Sequence, residues 1–254
     1  MDLLPIVLTV VLGVAMGAIN NVAGGAGVLG LLAFEHLFGL PLETANPSTR
    51  IAAVAVGVFS CLGFVFAGRK IPRQAFGQAL LALPGALLGA QLALGLPPIL
   101  FRGYLVVVML LLLRQQLRPL RADAAPSPSW ARALGCFCIG LHMGYVQVGT
   151  GLVATLVLSK AYDRDLLSVN AAKSVVVIVS AVTSATSLTI AGAITWTPAL
   201  SLAAGCAVGS YLASKWSVKK GGDAVRRVVL VIACLTLAEQ ARQIVLLLTA
   251  DGTP

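Results

Sequence analysis

The sequence predicts an all-α polytopic membrane protein built from two inverted repeats, each with a broken or re-entrant first helix pair and three transmembrane helices. Of its 254 residues, 58% are hydrophobic and 11% are charged, whereas a soluble domain has about 25% charged residues. Several apolar runs approach the roughly 20 residues that a helix needs to cross a bilayer. A glycine-broken polar pattern also occurs twice, which indicates a duplicated unit.

Each half of the chain contains four apolar blocks. Those of the first half run near 3–39, 49–67, 74–95 and 99–117. Those of the second half run near 132–160, 168–191, 198–214 and 225–249. The repeats are therefore predicted at 1–118 and 132–254, with a cytoplasmic linker at 119–131. The first block lacks the basic start of a signal peptide, so it is interpreted as a retained segment.

The first block of each half contains a break. One break covers Asn20 to Gly27 and includes Asn21, Gly24 and Gly25. The other covers Gln147 to Gly151 and includes Thr150. Non-helical backbone at membrane depth is tolerated only inside protein or beside a wet cavity. We therefore expect both blocks to fold back at these points and the two breaks to meet away from lipid.

Equivalent residues recur at nearly constant offsets. The offset is 127 from Gly13 to Gly140 and 124 from Asn46 to Asn170. A Gly-x-x-x-Gly pattern also recurs, as shown by Gly85, Gly89, Gly205 and Gly209. Small residues at this spacing let helix backbones approach closely. Each pattern is predicted to serve close helix packing inside its own half.

Loop charge favours the folded-back arrangement. If both first blocks fold back, one face carries 14 of the 18 basic residues, and the other holds both termini with Asp2, Glu43 and Asp251. The 14 are Arg69, Lys70, Arg73, Arg114, Arg118, Arg121, Arg132, Lys160, Arg164, Lys215, Lys219, Lys220, Arg226 and Arg227. Basic loops favour the cytoplasm. The sequence thus predicts inverted halves in the inner (plasma) membrane, with both termini opposite the cytoplasm.

Two cations follow the breaks. Arg50 comes four residues after Asn46, and Lys173 comes three residues after Asn170, each at the predicted start of a long apolar helix. A basic side chain within a membrane helix costs at least about 2.5–3.5 kcal/mol, so it usually faces a cavity or a partner. Snorkelling to the headgroups or an internal salt bridge is the alternative for either residue. The duplicated pair favours a positively charged binding site for an anion near the membrane midplane, and the two breaks would form part of this site.

These motifs resemble the sulfite exporter TauE/SafE family of permeases. The resemblance rests on Asn-x-x-Gly-Gly-x-Gly at 21–27, Ala-Asn-x-Ser/Thr-x-Arg at 45–50, Asn-Ala-x-Lys at 170–173 and Ala-Gly-x-Ile-x-Trp at 191–196. It covers nearly the whole chain. The chain departs from the family pattern at Pro47 and in a glycine-poorer second break. The resemblance implies export of a small sulfur-containing anion such as sulfite or an organosulfonate.

Other polar residues give further hypotheses. His142 and Glu239 are candidates for proton coupling, although His142 could equally be a buried histidine bonded to a backbone carbonyl. Ser180, Thr183 and Ser184 share one helix and could line a pathway, or bond their own helix carbonyls. The oligomeric state is open, with a homodimer among the alternatives.

The alternative class to a secondary transporter is a membrane-embedded enzyme or thiol-dependent sulfur carrier, while a passive anion channel is a variant of the transporter class. A membrane-embedded enzyme or sulfur relay needs a reactive cluster, but the five cysteines are scattered and show no metal-ligand spacing. A passive anion channel would conduct without regard to a proton gradient. We therefore predict a transporter rather than an enzyme, with no cofactor and no metal. Its partners are a small anion, the lipid bilayer and, for coupling, protons, and the basic charge does not indicate nucleic-acid binding.

Overall fold

The computed structural model describes residues 3–22, 24–95, 103, 104, 107, 129–159, 161, 162, 165–221, 224 and 227. Eight helices have their bounds within these residues, and no strand occurs among them. They are α1 (Leu3–Val22), α2 (Gly27–Phe38), α3 (Leu42–Phe66), α4 (Gln74–Gly95), α5 (Ser129–Tyr145), α6 (Thr150–Ser159), α7 (Leu166–Ile190) and α8 (Trp196–Lys220). Most of the blocks predicted at 99–117 and 225–249, and Glu239 with them, lie outside the described residues.

Each first block folds as two helices, as the sequence predicted. The helix is interrupted between α1 and α2 in the first half and between α5 and α6 in the second. The second arms have 12 and 10 residues, which at about 1.5 Å per residue makes them roughly 18 and 15 Å long. A hydrocarbon core is about 30 Å thick. These arms are therefore too short to cross a bilayer as straight helices.

Four helices of the described part are long and apolar enough to cross a membrane. They are α1, α3, α4 and α7. The two at the centre, α3 and α7, begin earlier than the sequence predicted. Arg50 and Lys173 therefore do not start their helices but lie in the third turn of each, because the polar segments before them are also wound into helix. Pro47 lies inside α3.

The glycine patterns pack across the halves, so the prediction of packing inside each half is wrong. Gly85 and Gly89 on α4 lie against the backbone of α5, while Gly205 and Gly209 on α8 lie against α1. An added Cβ at Gly85 would approach the carbonyl oxygen of Phe137 to 2.1 Å. The sequence offset showed which glycines were equivalent but could not show their partners. Each broken helix thus packs on the last described helix of the other half.

An ion pair joins the two halves at one end of the bundle. Arg69, after α3, donates to the Asp165 carboxylate and to the Ser168 hydroxyl at the start of α7. Burial alone would raise the pKa of Asp165, but hydrogen bonds from Ser168 and the charge of Arg69 outweigh it, and the pKa lies below its ordinary value. The carboxylate also accepts from the amide of Leu167 and so caps α7.

Candidate functional site

The two breaks touch each other in the interior. Gly24 in the first break lies against Gly151 in the second, and these residues are equivalent by the 127-residue offset. Gly24, Gly25 and Gly149 have φ angles of 80°, 99° and 82°, which glycine adopts without a Cβ penalty. Gln147 has a φ of 67° and is the only non-glycine residue of the described chain with a positive φ. The prediction that the two breaks meet is therefore confirmed, because their backbones are in contact.

Replacing Gly24 by alanine is expected to force the breaks apart. The added Cβ would lie 2.5 Å from the carbonyl carbon of Gly151, and overpacking of this kind costs about 1–3 kcal/mol. Gly68 is the matched control, because its φ of 81° is nearly the same but nothing lies within 4 Å of its added Cβ. Thermal unfolding in detergent should show a larger loss for Gly24→Ala than for Gly68→Ala. Equal losses would contradict the close contact.

Arg50 binds the carboxyl end of α5. Its side chain is fully buried, and its Nη2 donates to the carbonyl oxygens of Tyr145 at 2.9 Å and Gly144 at 3.2 Å. Its Nη1 donates to Gln147 Oε1 at 3.2 Å, and Asn46 adds a bond from its Nδ2 to the Tyr145 carbonyl at 3.0 Å. The last carbonyls of a helix have no partner within it and carry partial negative charge. Arg50 and Asn46 satisfy them.

Lys173 binds the carboxyl end of α1 in the corresponding way. Its Nζ donates to the carbonyl oxygen of Asn21 at 3.0 Å and approaches that of Asn20 at 3.5 Å. Asn170 Nδ2 donates to the Val22 carbonyl at 3.3 Å. Each Asn-plus-cation pair therefore holds the broken helix of the opposite half. The only ion pair among the described residues is the one between Arg69 and Asp165, so neither buried cation is in a salt bridge there.

A cavity of about 40 Å³ lies where the breaks face α3 and α7. One water needs about 10–15 Å³ on this measure, so the cavity has room for roughly three waters or one small oxyanion. Its lining consists of Asn20, Asn21, Ala53, Val56, Gly57, Ser60, Met143, Gln147, Thr150, Gly151, Lys173, Ser174 and Val177. Both halves contribute, and Lys173 is the one ionisable residue among the described residues of the lining.

The predicted site residues separate into two groups. Asn20, Asn21, Gln147, Thr150 and Lys173 line the cavity. Gly24, Gly25, Asn46, Arg50 and Asn170 lie outside the lining, in the breaks or beside the helix ends that the breaks expose. Lys173 therefore contacts both a helix end and the cavity. Arg50 contacts a helix end but does not line the cavity.

His142 is buried beside the second break and does not line the cavity. Its Nε2 donates to the carbonyl oxygen of Val148 at 2.7 Å, which leaves Nδ1 to accept from the Tyr104 hydroxyl at 2.9 Å. This is the carbonyl-bonded arrangement that the sequence left open for it. Both ring nitrogens have partners, and the side chain braces the segment between α5 and α6.

Sequence reasoning missed Ser60 and Met143, which also line the cavity. Ser60 is ten residues beyond Arg50 on α3, far from either break in sequence. Its hydroxyl is buried without a hydrogen-bond partner, and so is Oδ1 of Asn21. Unpaired buried polar atoms are rare in native proteins and commonly mark a ligand or water position. Ten residues of helix turn Ser60 about 80° away from the face of Arg50, so no spacing in the sequence marked it as a site residue.

Comparison with known families decides the class of this protein. The family model for the sulfite exporter TauE/SafE matches residues 8–239. The chain belongs to this family. TauE/SafE proteins are membrane transporters, so the resemblance and the membrane-transport prediction made from the sequence are confirmed. No curated protein and no solved structure matches the chain.

Proposed function

We propose that this TauE/SafE protein exports a small sulfur-containing anion, such as sulfite or an organosulfonate, from the cavity between the two breaks. The observation that carries the proposal is Lys173, a buried cation in a cavity whose lining has no acidic residue among the described part of the chain. A buried cation usually faces a partner of opposite charge. Here that partner is the transported anion.

Neutral donors surround the cation. Gln147 Oε1 accepts from Arg50, so the Nε2 group of Gln147 holds the donors left for a ligand. Gly151 is the second residue of α6 and lines the cavity, and the first amides of a helix have no partner within it. These donors and Lys173 replace the water that a small anion loses on entering the protein. Arg50 lies outside the cavity lining and holds the side chain of Gln147 in place by a hydrogen bond.

The reciprocal packing supports inverted repeats and alternating access. α1 packs on α8 as α5 packs on α4, and each Asn-plus-cation pair reaches across to the other half. In inverted-repeat transporters, one repeat rocks against the other around a site formed by broken helices. The halves of this protein would expose the cavity alternately in this way. His142 and Glu239 stay candidates for the proton coupling that would drive export.

Flux in proteoliposomes tests the function. Purified protein is reconstituted, and the movement of sulfite, sulfate, thiosulfate and ethanesulfonate is measured with and without a proton gradient. We expect saturable sulfite flux that a proton gradient accelerates. Flux that neither saturates nor responds to the gradient would favour the passive channel. No flux above that of protein-free liposomes for any of the anions would refute the proposal.

Topology has a separate test. With the basic loops in the cytoplasm, cysteines introduced at Asp2 and at Lys70 of a cysteine-free protein should react from opposite sides of the membrane, whereas a first block that crossed once would place them on the same side. Intact cells are labelled with an impermeant maleimide before and after permeabilisation. Reaction of both positions from one side would exclude the inverted arrangement.

The sulfur-relay alternative predicts a different mutant phenotype. No cysteine of the described residues lines the cavity, and Cys61, Cys136, Cys138 and Cys206 are all free thiols. Cys136 and Cys206 are buried, so serine at these two positions bears on stability rather than on the site. A variant with all five cysteines replaced by serine that still folds is therefore expected to keep anion flux within about twofold of the parent. Complete loss of flux in a correctly folded variant would favour the relay.

A further inference from the structure

Two buried helical serines, Ser60 and Ser180, have hydroxyls without a hydrogen-bond partner among the described residues, and of these two Ser60 lines the cavity. Ser48, Ser174 and Ser210 each donate to the carbonyl oxygen four residues earlier, at 2.6–2.9 Å. This local bond is the usual outcome for a serine inside a helix. Ser60 is 2% exposed and makes no such bond, although it lines the cavity. Its hydroxyl therefore has no partner among the described residues, at the edge of the cavity.

The amide of Asn21 has only one possible orientation. Its Nδ2 donates to the Ser210 carbonyl at 3.2 Å and to Ser214 Oγ at 2.8 Å. Ser214 Oγ itself donates to the Ser210 carbonyl, so it must accept from Asn21. Turning the amide over would place Oδ1 against the Ser210 carbonyl oxygen, where both atoms are acceptors. Oδ1 is thus the free end, and it has no partner.

The cavity therefore offers a cation and an acceptor to the same ligand. Lys173 attracts negative charge, whereas the Oδ1 of Asn21 requires a donor. A fully deprotonated oxyanion has lone pairs alone and would leave Oδ1 unsatisfied, which costs about 1–3 kcal/mol for a buried group. A monoanion that carries its own O–H satisfies both groups. The Ser60 hydroxyl can donate to the oxygen of that O–H group, a bond that is lost with a ligand that has no hydroxyl.

Among the described residues, the lining contains no second charge. α1, α6 and the segment between α5 and α6 have no ionisable side chain, and α7 has Lys173 alone. The remaining ionisable groups on the helices that form the cavity lie outside its lining: Glu43, Arg50, Cys61, Arg132, Cys136, Cys138, His142 and Tyr145. One cation in direct contact matches one negative charge on the ligand, since unbalanced buried charge is costly.

We propose that the cavity selects a monoanion bearing one hydroxyl donor, which in the sulfite series is hydrogensulfite as HO–SO₂⁻, rather than the dianion. The hydroxyl of the ligand donates to Asn21 Oδ1, and the charged oxygens accept from Lys173. The Ser60 hydroxyl donates to the oxygen of the ligand's hydroxyl. This inference rests on the proposed anion transport. It adds Asn21 and Ser60 as the residues that determine specificity.

Two sulfonates of the same shape and charge test the selection. Hydroxymethanesulfonate carries a hydroxyl where ethanesulfonate carries a methyl group, and both are monoanions. Competition with radiolabelled sulfite at mildly acidic pH gives the affinity of each for the reconstituted protein. We expect hydroxymethanesulfonate to compete about ten- to a hundredfold better, because a site built to bind a hydroxyl rejects the analogue without it. Equal competition would overturn the inference while leaving anion transport intact, whereas absence of sulfite transport would overturn both.

Substitutions test which residues cause the preference for the sulfonate that carries a hydroxyl. Asn21→Leu removes the free acceptor and should bring the ratio of the two affinities close to one. Ser214→Ala is the matched control, because it removes a partner of Asn21 Nδ2 but leaves Oδ1 in place, so the ratio should stay at its parent value. Ser60→Ala, which removes no existing bond, should reduce the ratio even if Asn21→Leu fails to fold. An unchanged ratio in Ser60→Ala and in a folded Asn21→Leu would contradict the assignment.

Discussion

Replacing Lys173 by methionine is expected to reduce anion flux by between about thirtyfold and several thousandfold. Removal of one partner of a buried charge pair typically costs 2–5 kcal/mol, and each 1.4 kcal/mol is a factor of ten in affinity. Methionine is chosen because it keeps the length of the side chain and is tolerated in apolar surroundings. The variant should still fold, since Lys173 makes one short bond, 3.0 Å, to the end of α1 and a longer one of 3.5 Å.

The control for this prediction is the same change at an exposed lysine. Lys219 lies in the last turn of α8 and is exposed, so Lys219→Met should leave flux near the parent value. Initial rates in proteoliposomes at several sulfite concentrations separate a loss of affinity from a loss of turnover. Parent-like kinetics in Lys173→Met would remove Lys173 from the site. A loss of flux in Lys219→Met would show that methionine substitution is itself harmful.

Replacing Arg50 by methionine is expected to destabilise the fold rather than weaken anion binding selectively. Arg50 is fully buried and donates to two carbonyl oxygens at the end of α5 and to Gln147. A buried polar group that loses its partner costs about 1–3 kcal/mol. With several groups affected, the total loss should exceed about 3 kcal/mol, which ranks among the largest effects of single substitutions.

The stability of Arg50→Met is compared with that of an exposed arginine variant. Arg73, next to the start of α4, is exposed, and Arg73→Met should unfold at the temperature of the parent. Thermal unfolding in detergent and the yield of monodisperse protein are the two measurements. If Arg50→Met were as stable as the parent but inactive, Arg50 would belong with Lys173 in the binding site and not with the supports of the second break.

The breaks and the buried cations could be predicted because each is visible in a short stretch of the sequence. Glycine and amides within an apolar run are recognisable without knowledge of the fold, and both breaks occur where they were expected. The equivalence of Gly24 and Gly151 also follows from the constant offset, and the two residues lie in contact. The family assignment rests on the same motifs and is confirmed over residues 8–239.

The partners of these residues could not be read from the sequence. The hydrogen-bond partners of Arg50 lie at the end of α5, almost a hundred residues away along the chain. The glycine pairs were assigned to the wrong partners for the same reason, since an offset relates equivalent positions and says nothing about contacts. Ser60 was missed because its importance comes from a bond that it does not make. Such facts depend on three-dimensional packing.

The most direct test of the account is to locate a bound anion. Selenite is an oxyanion with the shape and charge of sulfite and scatters anomalously, so a crystal structure of the protein with selenite would show the position of the anion. The account predicts one strong selenium peak in the cavity between the breaks, about 4 Å from Lys173 Nζ, because an oxygen of the anion lies between the two atoms at hydrogen-bond distance from Nζ. A peak elsewhere, or an empty cavity at a selenite concentration that saturates inhibition of sulfite flux, would contradict it.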